Sequence, residues 1–199
     1  DSTPIVAKAW NDYLLKEEGR DYKITADTLK GLFGRLLSDI AAVLFPEKPL
    51  EEQARLIDEC CAREHEALIA TPAPLYEGME ETLRVLSERI PLFVVSNCQA
   101  GYIEVFMQGT KTQDYFKDHL CPGDTGKAKA ENILMIKERY GLKSPFYAGD
   151  TRGDFDACKK AGVPFIHADY GFARVDDAPY RAASPKDLCT LALSLIENR

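Results

Sequence analysis

Ala148-Gly149-Asp150-Thr151-Arg152-Gly153-Asp154-Phe155-Asp156-Ala157 is the stretch on which the reading of this chain turns. Pro145-Phe146-Tyr147 ahead of it is an apolar run that predicts a buried strand, and Asp156 to Ala161 predicts the opening of a helix. Asp150 and Asp154 therefore stand where a strand ends and a helix starts, the place where ligands bind in open α/β sheets. Two neighbouring carboxylates repel unless something neutralises them. Mg²⁺, which takes one or two carboxylates together with waters and substrate phosphate, is the simplest candidate. The same residues also suit an ordinary turn with Asp154 as a helix N-cap.

Upstream, the strand-to-loop pattern occurs once more. Leu92-Phe93-Val94-Val95 is a continuous apolar run that ends in Ser96-Asn97, whose hydroxyl, amide and backbone N–H groups suit phosphate oxygens or a plain turn. A helix is expected near Tyr102–Met107, then a short element at His119-Leu120-Cys121. Lys127 and Lys129 precede a helix that runs through Ile133, Ile136 and Tyr140. A cation there sits where the helix dipole already favours an anion, although most lysines are solvated surface charges. Val163 to Ala168 predicts a further strand and Asp187 to Ile196 a closing helix. Strands alternating with helices from residue 76 onward imply a parallel sheet covered on both faces.

Residues 1 to about 70 read as helix throughout. Ser2 or Thr3 can cap a first helix with Pro4 at its start, and Gly19 ends it. A second, from Thr25 to Pro46, carries Leu29, Phe33, Leu36, Leu37, Ile40 and Leu44. A third, from Leu50 to Ile69, turns Ala54, Ile57, Cys61 and Leu68 inward and its dense charges outward, as a solvated face.

Composition narrows the class. With 199 residues, 45% hydrophobic and 29% charged, the chain has the makings of a globular domain with a full core. A net charge of -7 argues against a nucleic-acid partner held through phosphates. The sequence carries no apolar run of membrane-spanning length and no signal-peptide pattern at its start, so a cytoplasmic protein without a membrane partner is expected. Six cysteines without a Cys-x-x-Cys, and three histidines, give zinc little to work with; they read as buried free thiols.

In order along the chain, these motifs resemble those of the haloacid dehalogenase-like hydrolases, specifically the phosphoglycolate-phosphatase-like branch with a helical cap. The resemblance covers essentially the whole chain. Val94-Val95-Ser96-Asn97 is similar to the family's second motif, Lys129 before Ala130-Glu131-Asn132-Ile133 to its third (Lys129 fits the spacing better than Lys127), and Gly149-Asp150-Thr151-Arg152-Gly153-Asp154 to its fourth. It implies a doubly wound, Rossmann-like α/β core over residues 1–3 and 74–199, with a helical cap over 4–73. It implies a phosphohydrolase of small phosphate monoesters, with Ser96, Asn97 and Lys129 binding the phosphoryl group, Ser96 and Lys129 catalytic, and Asp150 and Asp154 serving Mg²⁺. A monomer or a dimer is expected.

The first motif is the departure. In the family an apolar strand runs into Asp-x-Asp-Gly-Thr, whose first Asp is the nucleophile; the sequence contains no such motif and opens on Asp1-Ser2, which look like the residues that follow it. The expectation is a nucleophile just upstream of residue 1, on a strand seated between those ending at Ser96 and Asp150, about 10 residues with its loop. A dehalogenase of the same superfamily needs no Mg²⁺, so the Asp150–Asp154 pair argues against one. A phosphomutase stays open, as does a phosphate- or partner-binding module without catalysis.

Overall fold

The computed structural model describes residues 1–197. Four helices come first: α1 (Thr3–Glu18), α2 (Ala26–Leu32), α3 (Leu37–Leu44) and α4 (Leu50–Ala70). They enclose an apolar core built on Val6, Trp10, Leu14, Leu29, Phe45 and Leu56. Helix α1 stops at Gly19, which takes the left-handed conformation that favours glycine. Its start is held by Asp1 rather than by Ser2 or Thr3: the Asp1 carboxylate accepts from the Thr3 N–H at 3.0 Å and the Thr3 hydroxyl at 2.7 Å.

Two expectations for this region need correction. The second helix is broken in two by Phe33–Leu36, because Gly34 sits at φ +90°, and Leu36 is left exposed. On α4, Ala54 faces solvent and Gln53 turns inward instead. The Gln53 amide donates to the Phe45 carbonyl at 3.1 Å and the Lys48 carbonyl at 3.0 Å, groups left over at the end of α3.

The rest is α/β: α5 (Met79–Ser87), β1 (Leu92–Val95), α6 (Tyr102–Thr110), β2 (Phe116–Leu120), α7 (Pro122–Thr125), α8 (Lys129–Arg139), β3 (Tyr147–Gly149), α9 (Arg152–Ala161), β4 (Phe165–Ala168), β5 (Tyr180–Ala182) and α10 (Pro185–Glu197). All strand pairs are parallel, as the alternation predicts, and the short element at His119 is the end of a strand. Strand β5 has no counterpart in the sequence reading. Helices α8 and α9 share a core with Val95, Leu120 and Phe165, while α10 packs with Ile166 and Ala182 on the opposite face.

The sheet is in two pieces. Among the described residues β1 pairs with β2, and β3, β4 and β5 run in that order, but no ladder joins β1 to β3. Every residue of β4 is buried, as a central parallel strand requires, whereas Leu92, Phe93 and Val94 of β1 are half-buried and Ala148 of β3 is exposed. A cavity of about 550 Å³, lined by both strands together with Thr82, Leu86 and Ile136, lies along this slot. One side chain crosses it: the Tyr147 hydroxyl donates to the Val95 carbonyl at 2.6 Å.

Candidate active site

The carboxyl ends of β1 and β3 and the first turns of α8 and α9 meet at one cavity of about 410 Å³, whose far wall is the helical bundle. Ser96, Asn97, Lys129, Asp150 and Asp154 all line it, so residues far apart in sequence are brought to one place. Lys127 is exposed.

Asp154 is the most constrained of the five. Thr151 caps α9 by accepting the Asp154 N–H at 3.1 Å, and Asp154 Oδ2 accepts in return from the Thr151 N–H at 3.0 Å, the Thr151 hydroxyl at 2.8 Å and the Asp150 N–H at 3.2 Å. Its Oδ1 lies 2.5 Å from Lys129 Nζ, and both side chains are buried. Burial acts to raise the Asp154 pKa, but the Lys129 charge and these hydrogen bonds overcome it and hold the carboxyl below its ordinary range.

Asp150 differs. Its Oδ2 accepts from the Phe172 N–H at 2.8 Å, and burial, with the neighbouring Asp154 charge, raises its pKa. The turn at Gly171 presses against it so closely that a Cβ there would lie 2.1 Å from Asp150 Cβ.

Mg²⁺ fits this donor set in part. Asp150, facing the cavity with a carboxyl that gains by a nearby cation, suits a direct ligand. Asp154, with both oxygens already engaged, suits orienting Asp150 and Lys129 around the ion. Among the described residues no three His, Cys, Asp or Glu side chains form a cluster.

Across the cavity the Ser96 N–H donates to the Leu120 carbonyl at 3.2 Å, fixing the loop after β1. The Asn97 amide donates to the Gly34 carbonyl at 2.8 Å, while its Oδ1 is buried without a partner. Gly34 thus ties the bundle to the α/β part, and the Phe33 and Phe172 rings, 6.1 Å apart, add to the same contact.

A Cβ on Gly34 would approach the Thr151 methyl to 3.0 Å with φ in the left-handed region. Gly34→Ala is expected to cost about 1–2 kcal/mol for the backbone alone. Gly31→Ala, inside α2 with open space around it, is expected to gain about 0.5–1 kcal/mol. Urea midpoints compare the two; equal shifts would remove Gly34 from the contact.

Sequence reasoning missed Gly34, Gln99 and Glu64. Glu64, 3% exposed on α4, accepts from Trp10 Nε1 at 2.9 Å and Gln99 Nε2 at 3.1 Å, linking the bundle to the loop after β1. A signal for it existed: Glu64 falls at helical spacing with Cys60, Cys61 and Leu68, the buried stripe of α4.

The model of the haloacid dehalogenase-like hydrolases matches residues 1–168. A phosphoglycolate phosphatase of Shigella boydii is 26% identical over 129 residues, 62% of this chain and 51% of that protein, so the chain spans about half the length of the curated relatives it matches. The crystal structure of a predicted phosphatase from Clostridium acetobutylicum superposes with a TM-score of 0.78 at 21% identity, over 98% of this chain and 93% of that one. A haloacid dehalogenase-like family hydrolase of Streptococcus pneumoniae does so with 0.78 at 17%, over 96% and 91%.

Proposed function

The chain belongs to the haloacid dehalogenase-like hydrolases, and on that premise we propose that it hydrolyses small phosphate monoesters with Mg²⁺ through an aspartyl-phosphate. The observation that carries this reading is the convergence of Ser96, Asn97, Lys129, Asp150 and Asp154 on one cavity beneath the bundle. The set suits a phosphoryl group in transit: a lysine and a hydroxyl for its equatorial oxygens, and carboxylates for a divalent ion.

The nucleophile belongs to the slot. A strand seated between β1 and β3, parallel to both, satisfies two otherwise unpaired ladder edges and points its carboxyl end at Ser96 and Asp150. An apolar strand that runs into Asp-x-Asp-Gly-Thr places a carboxylate there to attack phosphorus, and a second to protonate the leaving oxygen and then to activate water. Lys129, held by Asp154, keeps its ammonium aimed at the phosphoryl oxygens. Asn97, fixed through Gly34, and Ser96, fixed through its backbone, offer hydrogen bonds to the same oxygens. Asp150 would hold Mg²⁺, which would supply further positive charge opposite those oxygens. The bundle covers the leaving group and keeps bulk water out.

The test is turnover of p-nitrophenyl phosphate by the chain extended at its N-terminus with such a strand, referred to below as the strand-completed chain. Mg²⁺-dependent turnover is expected there and none in the 199-residue chain alone. Turnover by the unextended chain would put the nucleophile elsewhere. In the strand-completed chain Asp150→Asn is expected to lower kcat/KM by about 100-fold and to weaken the Mg²⁺ response; an unchanged Mg²⁺ dependence would take Asp150 out of the metal site.

A further inference from the structure

Two cysteines flank the phosphate loop from neighbouring strands. Val95 and Leu120 are register partners in β1 and β2, so the loops that leave these strands carry Cys98 and Cys121 to the same side. The two side chains pack in one cluster, the Cys121 thiol lies 3.6 Å from the carbonyl of Gln99, the residue after Cys98, and the Ser96 side chain stands next to the Cys98 sulfur. Cys98 lines the site cavity, whereas Cys121 is 1% exposed behind it, its thiol donating to Asp124 Oδ2 at 3.0 Å.

The pair is polarised. The neighbouring Cys121, then the Ser96 side chain and the Lys129 charge, hold the Cys98 thiol below its ordinary pKa against the effect of burial, while Cys121 is pushed up. The other four are all shifted upward, Cys60 and Cys158 to about 12. Cys98 alone combines thiolate character, a route from solvent through the cavity and an adjacent second thiol, the three properties of a peroxide-sensing cysteine with its resolving partner.

We propose that Cys98 and Cys121 form a peroxide-sensitive dithiol whose oxidation to a disulfide displaces the phosphate loop. The Cys98 sulfur attacks one peroxide oxygen, the O–O bond breaks, and the other oxygen leaves as water, giving a sulfenic acid on Cys98. The Cys121 sulfur then attacks the Cys98 sulfur, and the hydroxyl departs as water with the Cys121 proton. Two thiols are oxidised, one peroxide is reduced, and two waters form. The effect on the loop follows from packing: the Gly123 N–H donates to the Cys98 carbonyl at 3.2 Å, and a Cβ on Gly123 would lie 2.1 Å from the Ala100 nitrogen, so the turn after Cys121 abuts Cys98–Ala100 with no slack. Drawing the sulfurs to the covalent distance of about 2.05 Å shifts that backbone, and with it Ser96 and the Gln99–Glu64–Trp10 chain.

The regulatory consequence rests on the phosphatase reading, but the chemistry does not, and the test separates them. The purified chain is treated with hydrogen peroxide and digested under non-reducing conditions. A peptide pair joined through Cys98 and Cys121 is expected, with a shift in the fluorescence of Trp10, the single tryptophan; dithiothreitol reverses both. In Cys121→Ala the joined pair is absent and Cys98 oxidises beyond reversal. Oxidation centred on Cys189, or a disulfide that leaves Trp10 fluorescence unmoved, overturns the proposal. Peroxide-treated strand-completed chain is expected to lose p-nitrophenyl phosphate turnover and regain it with dithiothreitol; retained turnover with the disulfide formed overturns the switch. An inactive untreated enzyme counts against the phosphatase reading alone.

Discussion

Lys129→Ala is expected to destabilise the strand-completed chain by about 3–5 kcal/mol, the range for removing one partner of a buried ion pair. The reason is what remains. Asp154 would keep its place in the α9 capping box with its hydrogen bonds to Oδ2 but no cationic side chain on Oδ1, in a position where its side chain is 6% exposed. Lys127→Ala, two residues away on an exposed position, is expected to stay within about 0.5 kcal/mol of the parent. The comparison is made on urea midpoints at constant m.

A second variant separates stability from chemistry. In Lys129→Met with Asp154→Asn the buried charge is gone, and the oxygen of the introduced amide can still accept the α9 cap donors, so much of the lost stability is expected to return. Turnover of a phosphate ester is not expected to return with it, because the proposed function needs a cation at position 129 opposite the phosphoryl oxygens. If Lys129→Ala and Lys127→Ala shift the midpoint equally, the buried pair does not hold the site together. If the double variant recovers turnover as well, Lys129 serves the fold and not the phosphoryl group.

The pivotal stretch was legible because its chemistry is local. Asp154 reads as a helix N-cap and Asp156 as the helix opening. The cap is instead Thr151, with Asp154 closing the capping box from the first turn and Gly162 ending the helix in the left-handed conformation, so the cap reads three residues late but nothing distant is needed to form α9. The alternation of apolar runs with helical segments set the parallel sheet in the same way. What escaped depends on contacts across the chain. The break at Gly34 is imposed by docking against Thr151 and Asn97, while periodicity alone runs smoothly from Leu29 to Leu44. Gln53 rather than Ala54 faces inward, where its amide donates to the Phe45 and Lys48 carbonyls of the turn after α3, a contact visible only once that turn and α4 are side by side. Strand β5 has three residues, two of them exposed, too few for a period of two to register. The slot between β1 and β3 was expected from the family pattern, and it explains why the strand predicted as buried at Pro145–Tyr147 forms as Tyr147–Gly149 with no residue fully buried, and why Leu92–Val94 of β1 are only half-buried.

Glu64→Gln in the strand-completed chain is expected to change the pH dependence of stability more than any other single substitution of a carboxylate here. Burial pushes the Glu64 carboxyl up to about 7, against the hydrogen bonds from Gln99 and Trp10 that act to lower it. The groups that face it, Trp10, Gln99, Cys60, Cys61 and Tyr102, are uncharged, so the ionised carboxylate has donors but no countercharge. Between pH 4.5, the ordinary value, and about 7 the folded chain keeps a proton on Glu64 that the unfolded chain has released. Stability tied to this group is therefore present at low pH, falls as pH rises through that window, and is lost above it; at about 1.4 kcal/mol per pH unit the total is about 3 kcal/mol. Glutamine removes the titration and retains an acceptor for the Trp10 N–H, at the cost of a poorer match to the Gln99 amide. The variant is expected to match the parent near pH 5 and to exceed it by about 1–3 kcal/mol at pH 8, a gain set by the avoided burial of a charge less one neutral hydrogen bond. Urea denaturation across pH 5 to 8, followed through Trp10 beside the substituted residue, reads the slope directly. Parallel pH profiles for the two proteins would mean that Glu64 is solvated or paired in solution, and the link it forms between the bundle and the loop after β1 would then be a neutral contact rather than a strained one.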